Sequence, residues 1–149
     1  MKIRTIFCVA IAALAACSSP TQSINFQPPA GWIATASLFG FQSWHTADRK
    51  QVLILFRLPV AIDPNQAMQH TSINNLQDMT TKKITICGKQ PAVLVTGRGT
   101  SSQTHSEQDF KMLMTSYNGT TYMAIYARDM GTPVNSEADR AVYALCQRS

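Results

Sequence analysis

One strand-like segment limits the possible folds of this chain more than any other feature. Residues 51–58 contain the unbroken apolar run Val52-Leu53-Ile54-Leu55-Phe56. Because successive side chains of a β-strand point to opposite faces of the sheet, both faces of this strand are apolar. A strand of this kind is covered on both faces. We therefore expect this strand to lie in a sheet with a layer packed against each of its faces.

The clearest local signal is a β-hairpin formed by residues 110–117 and 120–128. The two segments are joined by Asn118-Gly119, a pair that readily adopts the positive φ angles of a two-residue turn. Counting back from this turn predicts the register of the two strands. The predicted pairs are Ser116 with Thr121, Met114 with Met123, and Met112 with Ile125.

The two faces of this hairpin differ in chemistry. One face carries the apolar side chains of Phe110, Met112, Met114, Met123 and Ile125. The other face carries Lys111, Leu113, Tyr117, Tyr122 and Tyr126. Because tyrosine offers a large contact area at low entropic cost, Tyr117, Tyr122 and Tyr126 are candidates for a partner-binding surface. The alternative is that the middle helix of the domain covers this face.

Two helices are expected in addition to the strands. Asp63-Pro64 places an N-cap residue before a proline at the first helical position, which predicts a short or broken helix over residues 64–78. Near the end of the chain, Ser136-Glu137-Ala138-Asp139 has the spacing of a capping box. The apolar stripe that follows it predicts a closing helix. This stripe consists of Ala138, Ala141, Val142, Leu145 and Cys146.

Shorter signals complete the predicted order of elements. Residues 32–46 are predicted to form one strand with a bulge or bend at Gly40. Residues 83–88 and 92–96 are predicted to form strands separated at Pro91, and residues 97–107 are predicted to form a polar loop. The chain length fits a single domain.

The first 16 residues have the layout of a secretory signal peptide. Lys2 and Arg4 provide a positive n-region, residues 6–13 provide a short apolar run, and Leu14-Ala15-Ala16-Cys17 follows. These four residues resemble the lipobox of bacterial lipoproteins, in which the cysteine is lipidated and becomes the mature N-terminus. The resemblance implies a palmitate-bearing anchor on Cys17 and a periplasm-facing domain.

This resemblance also implies a location and a division of the chain. Aspartate directly after the lipidated cysteine tends to retain lipoproteins in the inner membrane, and the residue here is Ser18. The outer membrane is therefore expected, with an inner-membrane or surface-exposed location left open. The signal would span residues 1–16, the lipidated cysteine and a flexible tether residues 17–27, and the domain residues 28–149. The alternatives are an ordinary cleaved signal that leaves Cys17 as a thiol, and a membrane-spanning helix, which needs about 20 apolar residues.

Four cysteines are present, and two of them are expected to form a disulfide bond. Cys8 is removed with the signal and Cys17 carries the lipid, so Cys87 and Cys146 remain. In an oxidising compartment, such a residual pair indicates a bridge. Because Cys146 lies on the apolar stripe of the last helix, it should face the sheet, where Cys87 can meet it. The alternative is two unpaired thiols, one or both of them buried.

The entrance of the domain carries a short motif, Phe26-x-x-Pro29-x-Gly31-Trp32. Together with the predicted order of elements, this motif resembles the start of PsbP-like domains, a superfamily that also contains the Ran-binding protein MOG. The resemblance implies an α+β fold, an α/β/α sandwich with helices on both faces of an antiparallel sheet. It also implies a non-enzymatic binding or assembly role, because most members of that superfamily have such roles.

The remaining residues point to no catalytic or metal-binding motif. His45, His70 and His105 lack metal-ligand spacing, and alternate methionines in a strand are more typical of a core than of a copper site. Serines are numerous, but none lies in a nucleophile elbow. Without Lys2 and Arg4 the net charge falls from +5 to +3, and the scattered basic residues do not indicate nucleic-acid binding.

We therefore expect a membrane-anchored binding or accessory module of the cell envelope that has no cofactor and acts on a protein partner. A structural envelope lipoprotein that contacts peptidoglycan or another protein is the first alternative. A small hydrolase without a recognisable motif is the second.

Overall fold

The domain is built on one seven-stranded antiparallel sheet. The computed structural model describes residues 23–35, 37, 39–63, 66–67 and 71–149. The strands are β1 (Ile33–Ala34), β2 (Phe41–His45), β3 (Gln51–Leu58), β4 (Ile73–Ile86), β5 (Gln90–Ser101), β6 (Glu107–Tyr117) and β7 (Thr120–Asp129). They are arranged in the order β1-β2-β3-β7-β6-β5-β4, so that β3, β7 and β6 lie in the middle.

The β6–β7 hairpin has the predicted turn and register. Asn118 and Gly119 have φ angles of 51° and 72°, as a two-residue hairpin turn requires. The three predicted pairs are confirmed: Ser116 with Thr121, Met114 with Met123, and Met112 with Ile125. A local turn signal was therefore sufficient to fix the register of the central strands.

Two apolar cores form, one on each face of the sheet. The helix-side core contains Trp44, Leu53, Leu55, Leu113, Tyr122, Ala124 and Tyr126 from the sheet. The second core contains Val95, Phe110, Met112, Met114, Met123 and Ile125, together with Ile73 and Ala67. Strand β3 contributes to both cores, since Leu53 and Leu55 are fully buried on one face while Val52, Ile54 and Phe56 pack on the other. The predicted two-sided packing of this strand is confirmed.

Helix α1 (Ser136–Val142) packs on the helix-side core, over β6 and β7. Its N-cap is Asn135, whose side-chain oxygen accepts hydrogen bonds from the backbone N–H groups of Glu137 and Ala138. Ala138, Ala141 and Val142 are buried as the apolar stripe predicted. The helix ends before Leu145 and Cys146, which are nevertheless buried at 0% and 4% exposure.

The predicted α/β/α sandwich is wrong. The domain is mostly antiparallel sheet, and among the described residues the one complete helix is α1, seven residues on one face. A middle helix was predicted over residues 64–78. The structure has a turn that begins at Asp63, whose carbonyl oxygen accepts hydrogen bonds from the N–H groups of Gln66 and Ala67. From Ile73 onward the chain is strand β4. Residues 64–65 and 68–70 lie outside the described residues.

The part of β4 before Lys83 was missed because its sequence lacks a strand pattern. Two register shifts interrupt its pairing with β5 between Asn74 and Thr80. Asn75 and Asp78 have φ angles of 49° and 52° there. Polar residues that tolerate positive φ are typical of turns, so this segment predicts a break in structure. The strand instead forms because β5 offers a long, continuous pairing edge.

The polar loop predicted over residues 97–107 is also wrong for its first half, because β5 extends to Ser101. The close packing of β4 against β5 explains why Gly97 and Gly99 are glycines. A Cβ atom at Gly97 would lie 2.6 Å from Met79 Sδ, and one at Gly99 would lie 2.7 Å from the carbonyl oxygen of Asn74. Glycine at these positions therefore lets β4 lie close against β5.

The strand predicted over residues 32–46 is divided in two. Phe39 and Gly40 have φ angles of 47° and 78°, and the chain turns back so that Ile33 pairs with His45. The glycine that suggested a bend within one strand is part of a turn between β1 and β2.

Cys87 and Cys146 form a disulfide bond between the β4–β5 turn and the segment that follows helix α1. Their Cα atoms are 6.2 Å apart, within the usual range for disulfide bonds. The bond closes a loop with a sequence separation of 59 residues.

We predict that loss of this bond lowers the free energy of unfolding by about 2–4 kcal/mol, because the unfolded chain gains entropy when the loop opens. Urea unfolding of the protein with and without reductant measures the change, and the variant Cys146→Ser should match the reduced protein. A Cys87→Ser/Cys146→Ser variant should be insensitive to reductant and serves as the control. Two thiols that react with an alkylating reagent in denatured, unreduced protein would contradict the bond.

Candidate functional site

The predicted site residues fall in three places. Cys17 lies outside the described residues. Cys87 and Cys146 are joined as described above, close to the point where the N-terminal segment enters the domain. Tyr122 and Tyr126 lie in the helix-side core, and Tyr117 packs at its margin.

The segment 23–26 is bound firmly to the domain. Ile24 and Phe26 are 0% and 1% exposed. Ile24 forms a β-bridge with Gln147, and the N–H of Asn25 donates to the carbonyl oxygen of Cys146 at 3.0 Å. The flexible tether predicted through Gln27 is therefore wrong from Ser23 onward, because the alternating pair Ile24 and Phe26 is buried in the helix-side core.

Arg148, at the end of the same C-terminal segment, also binds residues 23 and 24. Its backbone N–H donates to the carbonyl oxygen of Ser23 at 3.1 Å, and its side-chain Nε donates to the carbonyl oxygen of Ile24 at 2.9 Å. The side chain of Asn25 also contacts the Cys146 sulfur at 3.4 Å. We call residues 23–26 and 146–148 together the terminal clamp. The disulfide connects this clamp covalently to the β4–β5 turn.

The predicted tyrosine surface is covered by this clamp and by helix α1. Tyr122 and Tyr126 are 2% and 4% exposed, so they are interior residues and offer no docking surface. The Tyr122 hydroxyl hydrogen-bonds the Ser23 hydroxyl at 2.6 Å. The Tyr126 hydroxyl donates to Gln51 and accepts the backbone N–H of Asn135 at 2.9 Å. Of the described part of the middle segment, Ile62 and Ala67 pack on the other face of the sheet.

Tyr117 and Tyr122 form a stacked pair beside Ser23. Their rings stack with centroids 4.9 Å apart, and the Tyr117 hydroxyl donates to the Ser23 carbonyl oxygen at 3.3 Å. Burial raises the pKa of Tyr117, and its hydrogen bond with Tyr122 raises it further. Burial also acts to raise the pKa of Tyr122, but hydrogen bonds with Ser23, Tyr117 and Arg57 outweigh it and lower that pKa. Both hydroxyl groups therefore hydrogen-bond Ser23 and hold it against the sheet.

A cleft of about 150 Å³, lined by both charged and apolar side chains, lies between the sheet and the start of helix α1. Lys111 forms an ion pair with Asp139 and lies 5.0 Å from the centre of the Tyr143 ring. Burial lowers the pKa of Lys111, but the bond to Asp139 outweighs this and raises it overall. Asp109 pairs with Arg128 at 3.1 Å and with Arg98 at 3.4 Å. These charges are used to hold α1 and the strands together, which favours a structural role for the cleft.

The histidines are not brought together. His45 lies at the end of β2, where its Nδ1 donates to the carbonyl oxygen of Thr46 at 2.9 Å. His105 lies in the exposed loop before β6, and His70 lies outside the described residues. The described part of the chain contains no group of three or more His, Cys, Asp or Glu side chains placed to hold a metal ion.

The most open surface of the sheet is the edge formed by β4. This strand is last in the sheet order, and residues 74–83 are exposed without interruption. Leu76 and Met79 are 38% and 41% exposed there. From Thr80 to Ile86 the pairing with β5 is regular, so this half of the strand contains no bulge. It carries the adjacent cations Lys82 and Lys83.

Searches against models of known protein families and against curated proteins find no match to this chain. Within the described ranges, no helix has both the length and the apolar character needed to cross a membrane.

The terminal clamp and the β4 edge were not found from the sequence. The alternation of Ile24 and Phe26 within a polar stretch was the available signal for the clamp. For the β4 edge, the sequence predicted a strand over residues 83–88, but nothing local showed that its outer side lacks a partner strand among the described residues.

We predict that Tyr122→Phe weakens the terminal clamp while leaving the sheet intact. The substitution keeps the stacked ring and removes the hydrogen bond to Ser23, whose net contribution to stability is about 0.5–1.5 kcal/mol. Hydrogen exchange should become faster at the backbone N–H groups of Asn25 and Arg148, whereas those of the β6–β7 hairpin should keep their protection. Unchanged exchange at Asn25 and Arg148 would show that Tyr122 does not hold the segment.

Proposed function

We propose that this protein is a lipid-anchored, periplasm-facing module of the outer membrane that binds a partner protein and catalyses no reaction. The lipobox-like Leu14-Ala15-Ala16-Cys17 supports the anchor. The terminal clamp lies near this residue in sequence, since Ser23 follows Cys17 by six positions. Two backbone hydrogen bonds and the disulfide join the clamp to the rest of the domain, so a pull from the anchor would be passed into the fold.

The observation that carries the binding role is the open edge of β4. Proteins usually protect such edges from uncontrolled pairing with charges and bulges. Here the irregular pairing is confined to the first half of the strand, between Asn74 and Thr80. The second half is regular and exposed from Thr80 to Lys83. An extended segment of a partner can add to such an edge through main-chain hydrogen bonds.

The charge of this edge indicates what kind of partner segment can bind to it. Lys82 and Lys83 are both exposed, and Asp78 is already engaged by Arg98 at 3.5 Å. Opposite charges across an interface accelerate association and select between partners. We therefore infer that the partner segment is extended and acidic.

The anchor is tested by Cys17→Ser, which removes the site of acylation. We expect the variant to be recovered in the soluble periplasmic fraction, whereas the parent protein stays with the membranes, because a domain without acyl chains has lost its stable attachment. Cell fractionation followed by a high-salt wash measures this. A variant that remains membrane-bound after the wash would overturn the anchor assignment.

The edge is tested with a photo-crosslinking amino acid in place of Thr81, in cells. We expect a protein adduct at this position and none at exposed Gln103, which lies in the loop before β6. Lys82→Glu/Lys83→Glu should abolish the adduct, because the edge then repels an acidic segment.

The matched control is Arg49→Glu/Lys50→Glu, which reverses the other adjacent basic pair, in the β2–β3 turn. It should leave the adduct at position 81 unchanged. An adduct that survives the reversal at Lys82 and Lys83 would contradict the acidic segment. An adduct that muramidase digests would favour peptidoglycan instead of a protein.

A further inference from the structure

We propose that one end of the sheet lies directly on the anionic surface of the membrane that holds the lipid anchor. This end, which we call the tether end, comprises Ser23, the loop tips at Phe39, Val60 and Asn118-Gly119, Lys89 in the β4–β5 turn, and Arg148. The inference rests on the proposed anchor at Cys17 and adds an orientation to it.

The topology brings these residues to one end. In this antiparallel sheet, strands β3, β4 and β6 finish at the end where β5 and β7 begin. The β1–β2 loop joins the same end, because the N–H of Arg57, near the end of β3, donates to the carbonyl oxygen of Gly40 at 2.7 Å. Ser23 is fixed there by the Tyr117 hydroxyl and the Arg148 backbone.

The length of chain between the anchor and Ser23 keeps this end close to the membrane. Five residues lie between Cys17 and Ser23, and the six Cα–Cα steps of this segment span at most about 22 Å. The ten residues of β7 extend the sheet by about 33 Å away from the tether end. The opposite end is therefore farther from Ser23 than the tether can reach.

The tether end presents an exposed aromatic ring to its surroundings. Phe39 is 94% exposed at the tip of its turn, and Val60 is 54% exposed after β3. The φ angle of 47° at Phe39 is uncommon for a bulky residue, so the turn holds this ring outward at a conformational cost. Aromatic and aliphatic side chains of this kind insert at the boundary between headgroups and acyl chains.

The exposed cations Lys89 and Arg148 also lie at the tether end. At the opposite end, the β2–β3 turn carries Arg49 and Lys50 next to Asp48, so that end is not purely acidic. Basic residues near an anionic leaflet are attracted to it. Lys89 and Arg148 therefore add an attraction at the end that the length of the chain already keeps close to the membrane.

The test uses the full lipidated protein in vesicles that contain phosphatidylglycerol and a brominated phosphatidylcholine, which quenches tryptophan at short range. The variant Phe39→Trp reports from the tether end. Val134→Trp reports from the opposite end, where the parent side chain is 55% exposed, close to the exposure of Val60. Trp32 and Trp44 contribute the same background to both.

We expect the brominated lipid to quench the Phe39→Trp variant more strongly than the Val134→Trp variant, with a blue shift in the first alone. Adding Lys89→Glu to Phe39→Trp should reduce the extra quenching, whereas Lys50→Glu, the matched change in the β2–β3 turn, should not.

Flotation of the vesicles tests the anchor at Cys17 separately from the orientation of the tether end. Protein that does not float with the vesicles overturns the anchor at Cys17 and with it the orientation. Protein that floats, but shows equal quenching in the Phe39→Trp and Val134→Trp variants, leaves the anchor standing and overturns the orientation.

Discussion

The domain depends on a central hairpin whose two faces are both apolar. Along β6, Met112 and Met114 face one core while Leu113 between them faces the other. A sheet with such a centre is unstable unless material covers each side, because exposed apolar area costs about 25 cal/mol per Å². Helix α1 and the N-terminal segment cover one side. Ile62 and Ala67, from the chain between β3 and β4, pack on the other.

Features with a local or covalent cause could be predicted from the sequence. The Asn118-Gly119 turn fixes the register of β6 and β7, and the apolar run in β3 requires cover on both of its faces. The residual cysteines pair as expected, although Cys87 lies in the β4–β5 turn and Cys146 follows the end of helix α1. Strand β4 could not be predicted in full, since its first half becomes a strand only through its pairing with β5, despite residues such as Asn75 and Asp78 that favour turns.

The candidate site was harder to predict, because its contacts join distant parts of the chain. The hydrogen bond between Ser23 and Tyr122 spans 99 residues, and that between Asn25 and the Cys146 sulfur spans 121. A hairpin face rich in tyrosine has the same local pattern whether it is covered or exposed. The resemblance at Phe26 and Trp32 led to helices on both faces, whereas these residues join an N-terminal segment that packs on the helix-side core.

The terminal clamp also determines how the domain carries mechanical load. In an anchored protein, tension on the N-terminal chain arrives first at Ser23, which is bonded to Arg148 and Tyr122. From Cys146 the force passes through a covalent bond to Cys87 and into the β4–β5 hairpin. Because forced unfolding depends on the rate at which the first contacts break, sharing the load between the clamp and the sheet slows the detachment of the N-terminal segment. If the proposed partner adds to the β4 edge, its drag and the pull from the membrane would meet at the end of β4, which the disulfide joins to the terminal clamp.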